Sequence, residues 1–122
     1  GYGNVTMALA YLGRVKAAAQ HDTQAVRDVI AERRRQVDAE GWSPEHDDEH
    51  GNGEMAAAAG FYALHANDDP RMKMYSSPMR WPWDPKWWKP GPARRMLVKA
   101  GALILAEIER LDRALLGKDG EA

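Results

Sequence analysis

The run Pro92-Ala93-Arg94-Arg95-Met96-Leu97-Val98-Lys99-Ala100-Gly101-Ala102-Leu103-Ile104-Leu105-Ala106-Glu107-Ile108-Glu109-Arg110-Leu111-Asp112-Arg113-Ala114-Leu115-Leu116-Gly117 carries the plainest structural signal in the chain. Leu97, Ala100–Gly101, Ile104, Ile108, Leu111 and Leu115 recur at intervals of three and four, the period of one helical face. Pro92 suits a helix start, where its missing N–H is not needed, and Gly117 suits the position just beyond a helix end. The pattern predicts a core helix from Pro92 to about Leu116 with a narrow apolar seam, burying Ile104, Ile108 and Leu111. The small pair Ala100–Gly101 suits close contact with the alanine-rich helix expected over 54–66.

Working back from Pro92, residues 67–92 keep no regular period. They contain Trp81-Pro82-Trp83-Asp84-Pro85-Lys86-Trp87-Trp88-Lys89-Pro90, whose prolines exclude regular helix through most of the segment. Each indole can bury roughly 150–250 Å². Such a loop must fold back onto the helices, cover a pocket or meet a partner. Upstream, Glu54 opens a helix to Ala66 with Met55, Ala58–Ala59, Tyr62 and Ala66 on one face. Ser43 and Pro44 read as the N-cap and first residue of a short turn that Gly51-Asn52-Gly53 stops. Thr23 reads as the N-cap of a helix to about Glu40, with an apolar stripe of Val26, Val29–Ile30 and Val37 that Arg33 interrupts. Arg27, Arg34 and Arg35 alternate there with Asp28, Glu32 and Asp38, as on a solvated face, and Gly41 ends the helix. Residues 5–20 read as a further helix through Leu9, Leu12 and Val15. Nothing alternates as a strand would, so the expectation is an all-α fold. It is a compact single domain over 1–122, of about four helices with a long Trp/Pro-rich loop, and with 1–5 and 117–122 flexible.

Composition sets the limits. A chain of 122 residues suits one domain with a modest core. Seventeen Lys+Arg against 18 Asp+Glu leave a net charge of −1, so no DNA or RNA partner is expected. The absence of cysteine excludes disulfides and thiolate metal sites. No apolar run approaches the roughly 20 residues of a membrane span, and no secretory leader pattern is present. A cytoplasmic protein is the default expectation.

Two segments could carry chemistry. His46 and His50 are four apart, so a helix would place both imidazoles on one face. Asp47, Asp48, Glu49, Glu54 and Asp84 could add oxygen ligands, a mixture suited to Mn²⁺, Fe²⁺ or Zn²⁺, with Mg²⁺ for the carboxylates alone. The plainer reading is an acidic first turn facing the helix dipole. In the second segment the indoles of Trp81, Trp83, Trp87 and Trp88, with Trp42, offer stacking platforms for a base. Lys86, Lys89, Arg94 and Arg95 surround the start of the last helix, where free N–H groups favour a phosphate. The alternatives are an indole loop packed over the helices and a protein interface.

The order Glu40-Gly41-Trp42-Ser43-Pro44-Glu45-His46-Asp47-Asp48-Glu49-His50, Gly53-Glu54-Met55-Ala56, Trp81-Pro82-Trp83-Asp84, Trp87-Trp88-Lys89-Pro90 and Lys99-Ala100-Gly101-Ala102-Leu103-Ile104 resembles a small uncharacterised family of tailed phages and prophages. The likeness spans about residues 26–113 and implies a phage or mobile-element origin without an established activity. Gly41-Trp42, Asp47-Asp48, His50 and Pro82-Trp83-Asp84 before a helix also resemble the ryanodine-receptor repeat. That likeness implies helices around a small pocket and a nucleotide-derived ligand. The chain departs from the repeat at His46, where the repeat has Arg, and in an insertion over about 55–80.

The leading expectation is a non-catalytic phage or prophage accessory module that binds a small nucleotide-like ligand. Trp42, Trp81, Trp83, Trp87 or Trp88 would stack, Asp47 and Asp48 would take sugar hydroxyls or a cation, and Lys89, Arg94 and Arg95 would take phosphate. One alternative is a metal-dependent nucleotide hydrolase with the ion at His46, Asp47, Asp48, His50 and Glu54. The other is an interaction module whose aromatic loop meets a host protein.

Overall fold

A computed structural model describes residues 9–10 and 22–121. The helix expected over 5–20 lies outside the described residues except at Leu9 and Ala10, which are helical. The described chain contains five α-helices and no strand: α1 (Gln24–Asp38), α2 (Pro44–Asp48), α3 (Glu54–Leu64), α4 (Pro70–Tyr75) and α5 (Ala93–Glu121). A 3₁₀ turn spans Pro85–Trp87.

Local chemistry sets most of these limits. The Thr23 hydroxyl accepts from the Val26 amide at 3.3 Å, and the Ser43 hydroxyl accepts from His46 at 3.2 Å, so each satisfies an N–H the first helical turn leaves free. Pro44 takes the first position of α2, and Glu45 and Asp47 sit in its first turn. Between α1 and α2 the chain reverses at Gly41 with φ +73, and the Trp42 amide donates to the Gln36 carbonyl at 2.9 Å. Gly53, with φ +82, makes the equivalent turn into α3. Both angles are left-handed, where a Cβ is disfavoured.

Helix α5 packs chiefly on α3 and also meets α1 and α2. Met55, Ala58, Ala59, Tyr62 and Ala66 are all buried, as their shared face predicts. On α5 the inward row is Met96, Ala100, Leu103 and Ala106, with Val98 and Ala102 also buried. This corrects the sequence expectation: Ile104, Ile108 and Leu111 are about half exposed. The helix has two adjacent apolar rows, and periodicity alone does not choose between them. The row with two alanines faces inward because α3 and the indoles press close there. Gly101 meets Val29 of α1, not the alanines of α3.

Two further expectations change. The inward face of α1 is polar, made of Glu32, Arg33 and Gln36, while Val26 and Ile30 stay exposed. Glu32 therefore leaves the solvated face assigned to it, drawn in by cations on two helices. Helix α5 also runs through Gly117 to Glu121, past the expected stop. A glycine near a helix end costs only about 1 kcal/mol.

Leu103 and Trp88 are the test of this core. Leu103→Ala should lower stability by about 2–5 kcal/mol and Trp88→Ala by about 3–5 kcal/mol, read from urea unfolding. Losses below 1 kcal/mol at both positions would mean that α5 faces the core with another row.

Candidate functional site

The site begins with the polar face of α1. Arg33 Nη2 reaches Asp47 Oδ2 of α2 at 2.7 Å and Glu109 Oε2 of α5 at 3.3 Å. Its Nη1 donates to the Trp42 carbonyl at 3.3 Å. One buried guanidinium thus ties the Gly41-Trp42 turn and the start of α2 to the long helix. Beside it on α1, Arg35 chelates Glu32 at 2.8 and 2.9 Å, and Arg95 reaches the same carboxylate at 2.5 Å. Burial pushes the Glu32 carboxyl up, but the hydrogen bonds from Arg35 and Arg95 outweigh it and hold the group below its ordinary range. At Asp47 the balance goes the other way: burial raises the carboxyl against the pull of Arg33.

Above this network lies a cavity of about 240 Å³. Its floor is Met55 of α3 with Leu103 and Ala106 of α5. Its walls are three indoles, with Trp42 centred 5.8 Å from Trp83 and 6.3 Å from Trp87 at interplanar angles of 52° and 60°. The polar edge comes from His46, Asp47, His50 and Asp84. His50 lies edge-on to Trp83 at 5.6 Å, and its Nδ1 is 3.0 Å from Glu54 Oε2. An ionised Glu54 can only accept, so this hydrogen bond puts the proton of a neutral His50 on Nδ1 and leaves Nε2 as an acceptor. Glu54 is itself held by the Asn52 amide at 2.8 Å. Two buried polar atoms on the lining side chains have no hydrogen-bond partner, His46 Nδ1 and Trp83 Nε1. Such atoms cost about 1–3 kcal/mol each when left unpaired.

The tryptophans divide into two sets. Trp81 and Trp88 belong to the core, not to the cavity. Trp88 stacks on Tyr62 at 4.9 Å and donates from Nε1 to the Lys73 carbonyl at 3.0 Å. Trp81 meets Trp88 at 5.0 Å and Tyr62 at 5.5 Å. The residue before it, Arg80, holds a left-handed φ of +71, a conformation that costs a non-glycine residue about 1–2 kcal/mol.

The cations expected at a phosphate do not converge on this cavity. Arg94 pairs with Asp28 at 2.8 Å, and Arg95 is engaged by Glu32. Lys89 lies outside the lining, with Nζ 5.3 Å from the ring centroid of Trp87. Asp48 faces Arg113 at 2.8 Å and also stays outside. As for a metal, His46 and His50 have ring centres 4.9 Å apart, yet of the two imidazoles Glu54 bonds only that of His50. Among the described residues, no group of three His, Asp or Glu side chains is arranged to hold an ion. No described helix is long and apolar enough to cross a membrane.

Sequence reasoning did not assign Met55, Leu103 or Ala106 to a site, because each also fits an ordinary core row. Compared with protein-family profiles, curated proteins and solved structures, the chain matches none. The phage-family and ryanodine-repeat likenesses therefore rest on the quoted motifs.

Two ionic groups can be tested directly. Asp47→Ala leaves a buried Arg33 with Glu109 as its one carboxylate partner and should cost about 3–5 kcal/mol in urea unfolding. Glu32→Gln should destabilise at pH 7 with a pH signature of its own. A carboxyl held low in the folded state adds stability above its ordinary value of 4.5, and that stability is lost as pH falls through the depressed value. The gap between wild type and Glu32→Gln should be full at pH 7 and close in acid below 4.5. A gap independent of pH would show that the ion pairs contribute nothing.

Proposed function

We propose that this chain is a non-catalytic module that holds a small, flat, nucleotide-like ligand by its ring. The supporting observation is a cavity of about 240 Å³ with three indole walls and an apolar floor. That volume lies below the roughly 300–1,000 Å³ of ordinary drug-sized sites, so it suits a base or nucleoside. An indole face stacks on any planar ring, at roughly 1–3 kcal/mol per base. Nδ1 of His46 and Nε1 of Trp83 are buried without partners, and a turn of either side chain toward the cavity would bring a polar group to the edge of such a ring.

Electrostatics narrows the ligand. The lining carries the carboxylates of Asp47 and Asp84 and no lysine or arginine. Arg94 and Arg95 are already paired with acids. A phosphate therefore gains no cation within the cavity, and the ring and sugar are the recognised parts. In this reading one of Trp42, Trp83 and Trp87 stacks on the ring, its tilted neighbours meet the ring edge, and Trp81 and Trp88 keep the loop in place. On the motif resemblance, the setting is a phage or prophage accessory role.

The test is a thermal-shift and tryptophan-fluorescence screen of bases, nucleosides and nucleotides, with and without Mn²⁺. A nucleoside at a hundred times its Kd should stabilise by about 2.7 kcal/mol. The matching nucleotide should bind no better, and Trp83→Ala should abolish the effect while the protein stays folded. A response to phosphate alone, or none to any ring compound, would overturn the reading.

A further inference from the structure

Along α5, Leu97, Gly101, Ile104, Ile108, Leu111 and Leu115 advance by four and three in strict alternation. That is the 3.5-residue repeat of a coiled-coil seam, the spacing by which one helix pairs with another. Leu97, Ile104, Ile108, Leu111 and Leu115 are 49%, 48%, 48%, 52% and 60% exposed, so about half of each stays open to solvent. At Gly101 the row meets α1, where Val29 lies 3.1 Å from the site a Cβ would occupy. Near that crossing, Val26 and Ile30 of α1 are exposed as well. Single apolar residues on a surface are ordinary, whereas a continuous row of them marks an interaction surface.

We propose that this row is a self-association surface on which a second copy of the chain packs its own α5 antiparallel, about a two-fold axis between Ile104 and Ile108. A two-fold interface uses the same patch on both copies, so the row must complement itself. Antiparallel pairing about that axis sets Ile104 opposite Ile108 and Leu97 opposite Leu115. It sets Leu111 opposite Gly101, where Val26 and Ile30 widen the apolar surface. The charges favour the same direction. The first half of α5 carries Arg94, Arg95 and Lys99 and no acid, while in the second Glu107, Glu109, Asp112, Asp119 and Glu121 outnumber Arg110, Arg113 and Lys118. Several of these charges have partners within the chain, among them Arg94, Arg95, Glu107 and Glu109. What remains is a preference of net charge: antiparallel pairing brings the basic half beside the partner's net acidic half, and parallel pairing would bring like beside like. The exposed aliphatic side chains offer on the order of 600 Å² per copy, close to the roughly 800 Å² per partner of a standard stable interface. This proposal does not depend on the ligand reading.

Light scattering on the full chain at several concentrations is the first measurement, with a mass of twice 13.6 kDa expected. Ile104→Glu and Ile108→Lys are then prepared as separate proteins. Each side chain is half exposed in the single chain, so each variant should keep its helical spectrum while falling to the single-chain mass. Mixing the two should restore the doubled mass, because antiparallel register sets the introduced acid opposite the introduced base. A doubled mass that both variants retain would overturn the proposal, since another surface would then hold the copies together. Failure of the mixture to reassociate would overturn the antiparallel register. A single-chain mass for the wild type at every concentration would also overturn it. In that case slow thiol labelling of Ile108→Cys, in a chain with no other cysteine, would assign the row to residues 5–20 of the same chain.

Discussion

The fold depends on one buried guanidinium. Arg33 holds Asp47, Glu109 and the Trp42 carbonyl, and so joins α1, the Gly41-Trp42 turn, α2 and α5 at a single point. Burying a cation is unfavourable unless partners meet most of its donors, and Arg33 keeps only Nε unsatisfied. A short helix such as α2 has little apolar surface with which to dock. Its position is fixed instead by this ion pair and by the contact of Arg113 with Asp48 and the Pro44 carbonyl. Stability and the candidate site are therefore coupled. The carboxylate that anchors Arg33 also stands at the cavity edge, and the turn that receives its second hydrogen bond carries one of the indole walls.

The tryptophan-rich segment divides its work in the same structural terms. Its prolines prevent a helix and supply stiff steps between indoles, so successive rings reach different depths. Trp81 and Trp88 go inward against Tyr62 and complete a core that α3, with its small side chains, cannot fill alone. Trp83 and Trp87 stay half-buried and meet Trp42 from the other loop. A phenol and a backbone amide link the two sets: the Tyr62 hydroxyl donates to the Trp87 carbonyl at 3.4 Å and accepts from the Lys89 amide at 3.2 Å. The Trp87 wall of the cavity is therefore tied to the core through Tyr62.

Local patterns determined a large share of this protein without help from tertiary contacts. Thr23 and Ser43 as caps, Gly41 and Gly53 at the turns, and the shared inward face of Met55, Ala58, Ala59, Tyr62 and Ala66 all follow from residue type and a 3.6 period. The absence of strand alternation gave the all-α class by the same logic. These signals are legible because each depends on neighbours within one or two turns. Only the tertiary structure decided which of the two apolar rows on α5 faces inward, since both have helical spacing and the choice depends on how closely α3 approaches. Tertiary structure also drew Glu32 and Arg33 inside. A charge buried by a partner 14 or 63 residues away, as with Arg33–Asp47 and Glu32–Arg95, is locally identical to one in water. For the same reason the sequence marked all the tryptophans equally, and only long-range packing separated the indoles that build the core from those that line the cavity.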